Sequence, residues 1–345
     1  MQNRILTLCS FASILLISLV INGCHLYSEE ILRGDSQQQR TTSDDIVIEE
    51  HGLFPEGVAY DHDGHRFLVS SITRGTIGAV DEQGNYESFI EDGDCASTVG
   101  IEVDKARQRL LVCVSDPSTA SVASLGSYDL CTGERQFLTD LTSVADGYTS
   151  HFANDVAVDQ QGNAYVTDSF SPIIYKVTPW GEASIFLEDD TFQAPPRTFG
   201  LNGIVFNPNE FLMVASSAGV LYKIPMDNPQ AFSTIATESG AVTSPDGLYL
   251  TENSQVMMVV NNDGGGVQGN MVALYSDDQW ASAHQLDAFE AGPVFPTTVT
   301  ELDDQFYVLY SHLDELVSGD TLRDTFTIMR VGYEDAEEAS VDKGN

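Results

Sequence analysis

Cations are scarce in this sequence. Of 345 residues only 15 are Lys or Arg, against 52 Asp or Glu, giving a formal net charge of −37. Phosphate binding needs a basic footprint, so nucleic acid is excluded as a partner. An anionic membrane surface would repel the chain. Two readings of the acidity stay open: a solvated surface suited to a salty medium, and a field that attracts calcium. Cysteine is also sparse, with five residues, no CxxC and no Cys/His pair at zinc spacing. Cys113, within LLVCVSD, reads as a buried strand residue, while Cys95 and Cys131 fall at loop or edge positions. An oxidising compartment would allow those two to pair. No GxSxG, HExxH or P-loop is present. The chain does have 42% hydrophobic residues, enough for a packed core and against global disorder.

The one long apolar run is FASILLISLVI (11–21), preceded by Arg4. A short positive segment followed by an apolar stretch too short to span a bilayer predicts an export signal over 1–23. Ile21-Asn22-Gly23-Cys24 resembles a bacterial lipoprotein cleavage site, with Asn22 as a departure. On that reading Cys24 carries a lipid anchor, the only membrane attachment expected, and the protein sits at the cell envelope. An ordinary secretory signal is the alternative. Residues 24–45 then read as a polar tether and 334–345 as an acidic, disordered tail.

The strongest signal is internal repetition. Six short strands read EGVAYD (56–61), VGIEVD (99–104), NDVAVD (154–159), NGIVFN (202–207), DGLYLT (246–251) and TVTELD (298–303). Each precedes a polar turn and a second, more apolar strand such as RFLVSS (66–71) or VMMVVNN (256–262). The repeats start 43, 55, 48, 44 and 52 residues apart. Such intervals fit a four-stranded propeller blade of roughly 40–50 residues. Repeat six ends with FTIMRVGY (326–333), and IVIEEH (46–51) is the natural candidate for its missing strand. The prediction is all-β: one six-bladed β-propeller over 46–333, its last blade closed by an N-terminal strand.

Aligned on their first strands, the repeats place Glu56, Val99, Asn154, Asn202, Asp246 and Thr298 around the central axis. Two carboxylates and two amides converge there. Oxygen donors of this kind suit calcium, whereas zinc would prefer His or Cys. Three of the four donors precede Gly, so a turn-forming role is the plain alternative.

PEGVAYD, ANDVAVDQQGNAYVTDS, GLNGIVF and SPDGLYL resemble the senescence-marker-protein/gluconolactonase family, over about residues 47–310. Its wider relatives include paraoxonases and diisopropyl fluorophosphatase. The resemblance implies a six-bladed propeller with a catalytic calcium held by Glu56, Asn154, Asn202 and Asp246. It implies a hydrolase acting on a lactone or related ester. A sugar-lactone substrate is in doubt, because repeat two reads ASTVGIEV, with Val99 on the ring. Asp155 matches one ligand of a second, structural calcium in paraoxonases, but Gly57 stands where the other acidic ligand belongs.

Strand direction predicts a pocket wall drawn from the ends of the second strands and the loops entering each blade. Candidates are Ser71, Arg74, Asp168, Ser216, Asn261, His312, His151 and Arg197. Asp246 is the expected base or nucleophile, with His312 or His151 as proton shuttles and packing roles as the alternative for each His. Asp61-His62-Asp63-Gly64-His65 lacks EF-hand spacing and reads as a turn. Asn261-Asn262-Asp263-Gly264-Gly265-Gly266 reads as a loop at the pocket rim. Two other readings of function are a ligand- or partner-binding propeller with a structural calcium, and a metal-free propeller of the strictosidine-synthase type.

Overall fold

The computed structural model describes residues 45–331 other than 197, 238–243, 262–268 and 293. The export signal, Cys24, nearly all of the tether, Arg197, the acidic tail and most of the glycine-rich rim loop lie outside the described residues.

Six antiparallel sheets account for nearly all regular structure. Their inner strands are Val58–Asp61, Ser97–Asp104, Ala153–Val158, Leu201–Asn207, Pro245–Leu250 and Pro296–Leu302. Each inner strand lies against the next, and the first lies against the sixth, closing the ring. In five blades the remaining strands follow outward in chain order. The fifth gains a short extra strand, Ala236–Thr237, running parallel to its outermost strand. The sixth blade takes its outer strand from the other end of the propeller: Asp45–Glu49 pairs antiparallel with Thr325–Val331, Ile46 opposite Ile328. That pairing covers an edge and ties the two ends of the ring together.

The core is divided into six apolar clusters, one between each pair of neighbouring blades. This explains why the second strands read as continuous apolar runs. Both faces of Arg109–Ser115 are buried. Leu110, Val112 and Val114 face the first blade, and Leu111 and Cys113 face the third. Arg109 is tolerated there because its Nε donates to Asp104 at 2.9 Å and its NH2 group donates to the Gly162 carbonyl at 2.7 Å. The one α-helix among the described residues, Leu313–Ser318, lies between the second and third strands of blade six. Cys95 is a buried free thiol 3.4 Å from the Tyr128 hydroxyl, so the considered Cys95–Cys131 pairing is not made. The 62–65 segment is the expected turn, closed by hydrogen bonds from Gly64 and Arg66 to Asp61.

Candidate metal centre and its cavity

Every ring residue except Glu56 sits in a β-bulge. In blade three, Ala153 pairs with Asp168 and Val156 with Val166, so the inner strand advances three residues while its partner advances two. The same irregularity occurs at 98–101, 201–204, 245–248 and 296–299. A bulge frees a residue from the ladder and re-aims its side chain. Here it serves Val99, Asn154, Asn202 and Asp246, which line one cavity together with Glu56. Thr298, the sixth ring residue, lies on the opposite side and donates from its hydroxyl to the Glu56 carbonyl.

The glycines after the ring residues have a role other than turning. A Cβ on Gly57 would stand 2.6 Å from the Val99 carbonyl, and one on Gly100 would stand 2.5 Å from the Asn154 carbonyl. On Gly203 it would stand 2.2 Å from the Asp246 carbonyl. Neighbouring inner strands approach too closely here for any side chain. Blade three has Asp155 at this position. Its Oδ1 accepts from the Val156 N–H at 2.8 Å, and its Oδ2 accepts from the Ile204 N–H of the next blade at 3.1 Å. Asp155 thus braces two blades, and both its oxygens are engaged by backbone.

Seryl and threonyl hydroxyls complete the support. Thr167 donates to the Asn202 carbonyl at 2.7 Å, Ser169 to the Leu201 carbonyl at 2.6 Å and Thr297 to the Glu56 carbonyl at 2.7 Å. The ring side chains are oriented by a regular device. Asn154 Nδ2 donates to Ser169 Oγ at 3.0 Å, Asn202 Nδ2 donates to Ser217 Oγ at 3.3 Å and Asn261 Nδ2 donates to Asp246 Oδ2 at 2.6 Å. In each blade the supporting residue lies fifteen positions after the ring residue. Tying back the amide nitrogens leaves the amide oxygens facing the axis.

Those oxygens are orphaned. Among the described residues, Glu56 Oε2, Asn154 Oδ1 and Asn202 Oδ1 are buried with no hydrogen-bond partner. Leaving one such group unmet costs about 1–3 kcal/mol. The carboxylates are likewise uncomfortable. Burial, with the nearby charges of Asp246 and Asp155, drives the Glu56 carboxyl well above the usual carboxylate range. Burial pushes Asp246 up to about 7 against the opposing hydrogen bonds from Asn261 and Asn202. A cation among these atoms would satisfy all three orphans and neutralise both acids. Two carboxylates and two amide oxygens form a hard donor set that fits calcium. Among the described residues no three His, Cys, Asp or Glu side chains group as a metal site.

The predicted wall residues divide. Ser216 and Asn261 line the cavity. Ser71 does not: it is fully buried, and its hydroxyl donates to the Leu53 carbonyl at 2.6 Å. Arg74 turns away to Glu50, 2.8 Å distant, and to the His51 carbonyl. Asp168 is fully buried and accepts from the N–H groups of Phe152, Phe170 and Ser171 and from the Tyr175 hydroxyl. His151 is buried beside it, Nδ1 to Oδ2 2.9 Å. Burial lowers the His151 pKa, but the Asp168 hydrogen bond and charge outweigh it and leave the imidazole above its ordinary value. His312 begins the short helix, 3.4 Å from Glu315, and burial lowers its pKa. Neither imidazole lines the cavity; their neighbours Phe152 and Leu313 do. The sequence reading missed Ser169 and Ser217, which the fifteen-residue interval would have found. It also missed the aromatic wall formed by Phe152, Phe192, Phe199 and Tyr222.

The family model described as SMP-30/Gluconolactonase/LRE-like region matches residues 54–278, which include Glu56, Asn154, Asn202 and Asp246. No curated protein sequence matches the chain. The Malassezia sympodialis allergen Mala s 1 has a similar fold, with a TM-score of 0.68 at 16% identity over 84% of this chain and 96% of that one. A Xanthomonas campestris gluconolactonase gives 0.56 at 15% identity over 82% and 88%. A luciferin-regenerating enzyme gives 0.57 at 14% identity over 84% and 95%. These likenesses are of fold, whereas the family match spans four complete blades and every oxygen donor of the ring. The chain is therefore a member of the SMP-30/gluconolactonase/LRE-like family.

Proposed function

We propose that this protein is an exported, calcium-dependent hydrolase of lactones or related esters, anchored through Cys24. The observation that carries the reading is the set of three buried, unpartnered oxygens in a ring with two pKa-raised carboxyls. Glu56, Asn154, Asn202 and Asp246 would hold the ion. Four side chains provide fewer oxygens than the roughly six to eight calcium takes, which leaves room for water and substrate. Bound there, calcium supplies Lewis-acid polarisation of an acyl carbonyl and charge to offset a developing oxyanion. Asn261 fixes Asp246 by donating to Oδ2. Asp246 is then the carboxylate positioned to take a proton from water or to attack directly. Ser169 and Ser217 keep the Asn154 and Asn202 amides from flipping. Export and anchoring are supported by the apolar 11–21 run and by Cys24.

The test is hydrolysis of a panel of lactones, aryl esters and phosphotriesters, with calcium and with chelator. Turnover lost in chelator and in both Glu56→Gln and Asp246→Asn is the expected result. Calcium binding without turnover of any panel member would overturn the hydrolase and leave a binding propeller.

A further inference from the structure

The cavity above the ring has a volume of about 890 Å³ and an apolar wall. Among its described lining residues, Glu56 and Asp246 are the only charged ones, and both belong to the ring. Phe152 and Phe199 form an aromatic trio with Phe170, each pair of centroids 5.3 Å apart. Phe192 meets Tyr222 edge-on at 5.0 Å on another part of the wall. Across the mouth, the short helix contributes Leu316 and Val317. Phe199 is 47% exposed and Val317 87% exposed, an unusual rim for a chain with 52 acidic residues. On the ring itself, blade two contributes Val99 where four other blades contribute oxygen donors.

From this we infer the substrate class, on the basis of the hydrolase reading above: a lactone or ester bearing an alkyl or aryl substituent. The carbonyl lies at the ring, and the substituent lies along the wall between Phe192, Phe199 and the helix. Hydroxyls of a polyhydroxylated substrate that lay against Phe192, Phe199, Leu316 and Val317 would go unmet, each at a desolvation cost. Water adds across the acyl–oxygen bond, yielding a hydroxyl and a carboxylic acid that ionises with release of one proton.

Two readouts on the calcium-loaded protein separate this inference from the hydrolase reading. The first is kcat/KM for five-membered lactones that are unsubstituted, polyhydroxylated or alkylated with two to eight carbons. The second is calorimetric binding of the matching lactams, which resist hydrolysis. Both affinity and kcat/KM should rise about fourfold per methylene until the wall is filled. The double variant Phe199→Ser/Val317→Ser, altering two exposed side chains, should reduce the octyl-to-unsubstituted ratio about tenfold. Turnover with a flat series, or with the polyhydroxylated member preferred, overturns the inference and leaves the hydrolase. Chain-length-dependent lactam binding without turnover of any lactone upholds the apolar site and overturns the hydrolase. Failure of every lactam to bind overturns the inference.

Discussion

Gly203→Ala would test how closely the inner strands must approach for the ring to form. The added Cβ would stand 2.2 Å from the Asp246 carbonyl oxygen and 3.0 Å from the Leu248 nitrogen. Both are backbone atoms of the next blade, so no flexible side chain can move aside. An ordinary contact needs the strands about 1 Å further apart, and overpacking of this kind costs about 1–3 kcal/mol. Ala also restricts the unfolded chain, which returns about 0.4–1 kcal/mol. The net loss is about 1.3 kcal/mol, or about 2 °C in Tm for a domain of this size. The larger consequence is at the ring. Asn202 and Asp246 flank the widened seam, so calcium affinity should fall at least about tenfold, as misplacement of about 1 Å does for other positioned groups. Gly93→Ala, where an added Cβ meets nothing within 4 Å, is the control. Differential scanning calorimetry and calcium titration provide the readouts. A Gly203→Ala protein with the Tm and calcium affinity of Gly93→Ala would show that the seam can widen without disturbing the ring.

Three further predictions concern stability. Asp155 and Asp246 are both pushed from 3.8 up to about 7, so between those values the folded chain holds more protons than the unfolded one. Stability of the chelated protein should therefore fall as pH rises across that window, and Asp246→Asn should flatten the fall in denaturant titrations. His151 has the opposite charge sense. Its raised pKa means that the pairing with Asp168 stabilises fully below the ordinary imidazole value of 6.5 and is lost as pH rises through the folded value. His151→Gln should cost about 1–3 kcal/mol in acid and measurably less in alkali, by urea unfolding at several pH values. Ile48 is fully buried in the strand that closes blade six, so Ile48→Ala should cost about 2–5 kcal/mol, whereas Val47→Ala on the exposed face of that strand should cost under about 1 kcal/mol.

Much of the architecture was legible because a propeller repeats its pattern. The inner strands, the apolar second strands and the Asp45–Glu49 closure follow from alternation and spacing alone. The convergence of Glu56, Asn154, Asn202 and Asp246 followed from aligning the repeats. What escaped was local geometry. EG, NG and DG look the same in a turn and in a bulge; only the nearness of the neighbouring carbonyl reveals why Gly57 and Gly203 are glycines. His151, Ser71 and Asp168 stand near the ring in sequence, but their partners face them inward and away from the cavity. The aromatic trio was hidden because Phe152, Phe170 and Phe199 come from separate segments joined only by the fold.

The central claim is that the orphaned oxygens await one hard cation. Isothermal titration of the chelated protein with calcium, alongside Glu56→Gln, Asp246→Asn and Asn154→Ala, tests it most directly. One tight site per chain is expected, with a rise in stability of about 2.7 kcal/mol at a hundredfold excess over Kd, and both should be lost in all three variants. Absence of a calcium signal in the parent protein, or equal binding in the variants, would contradict it.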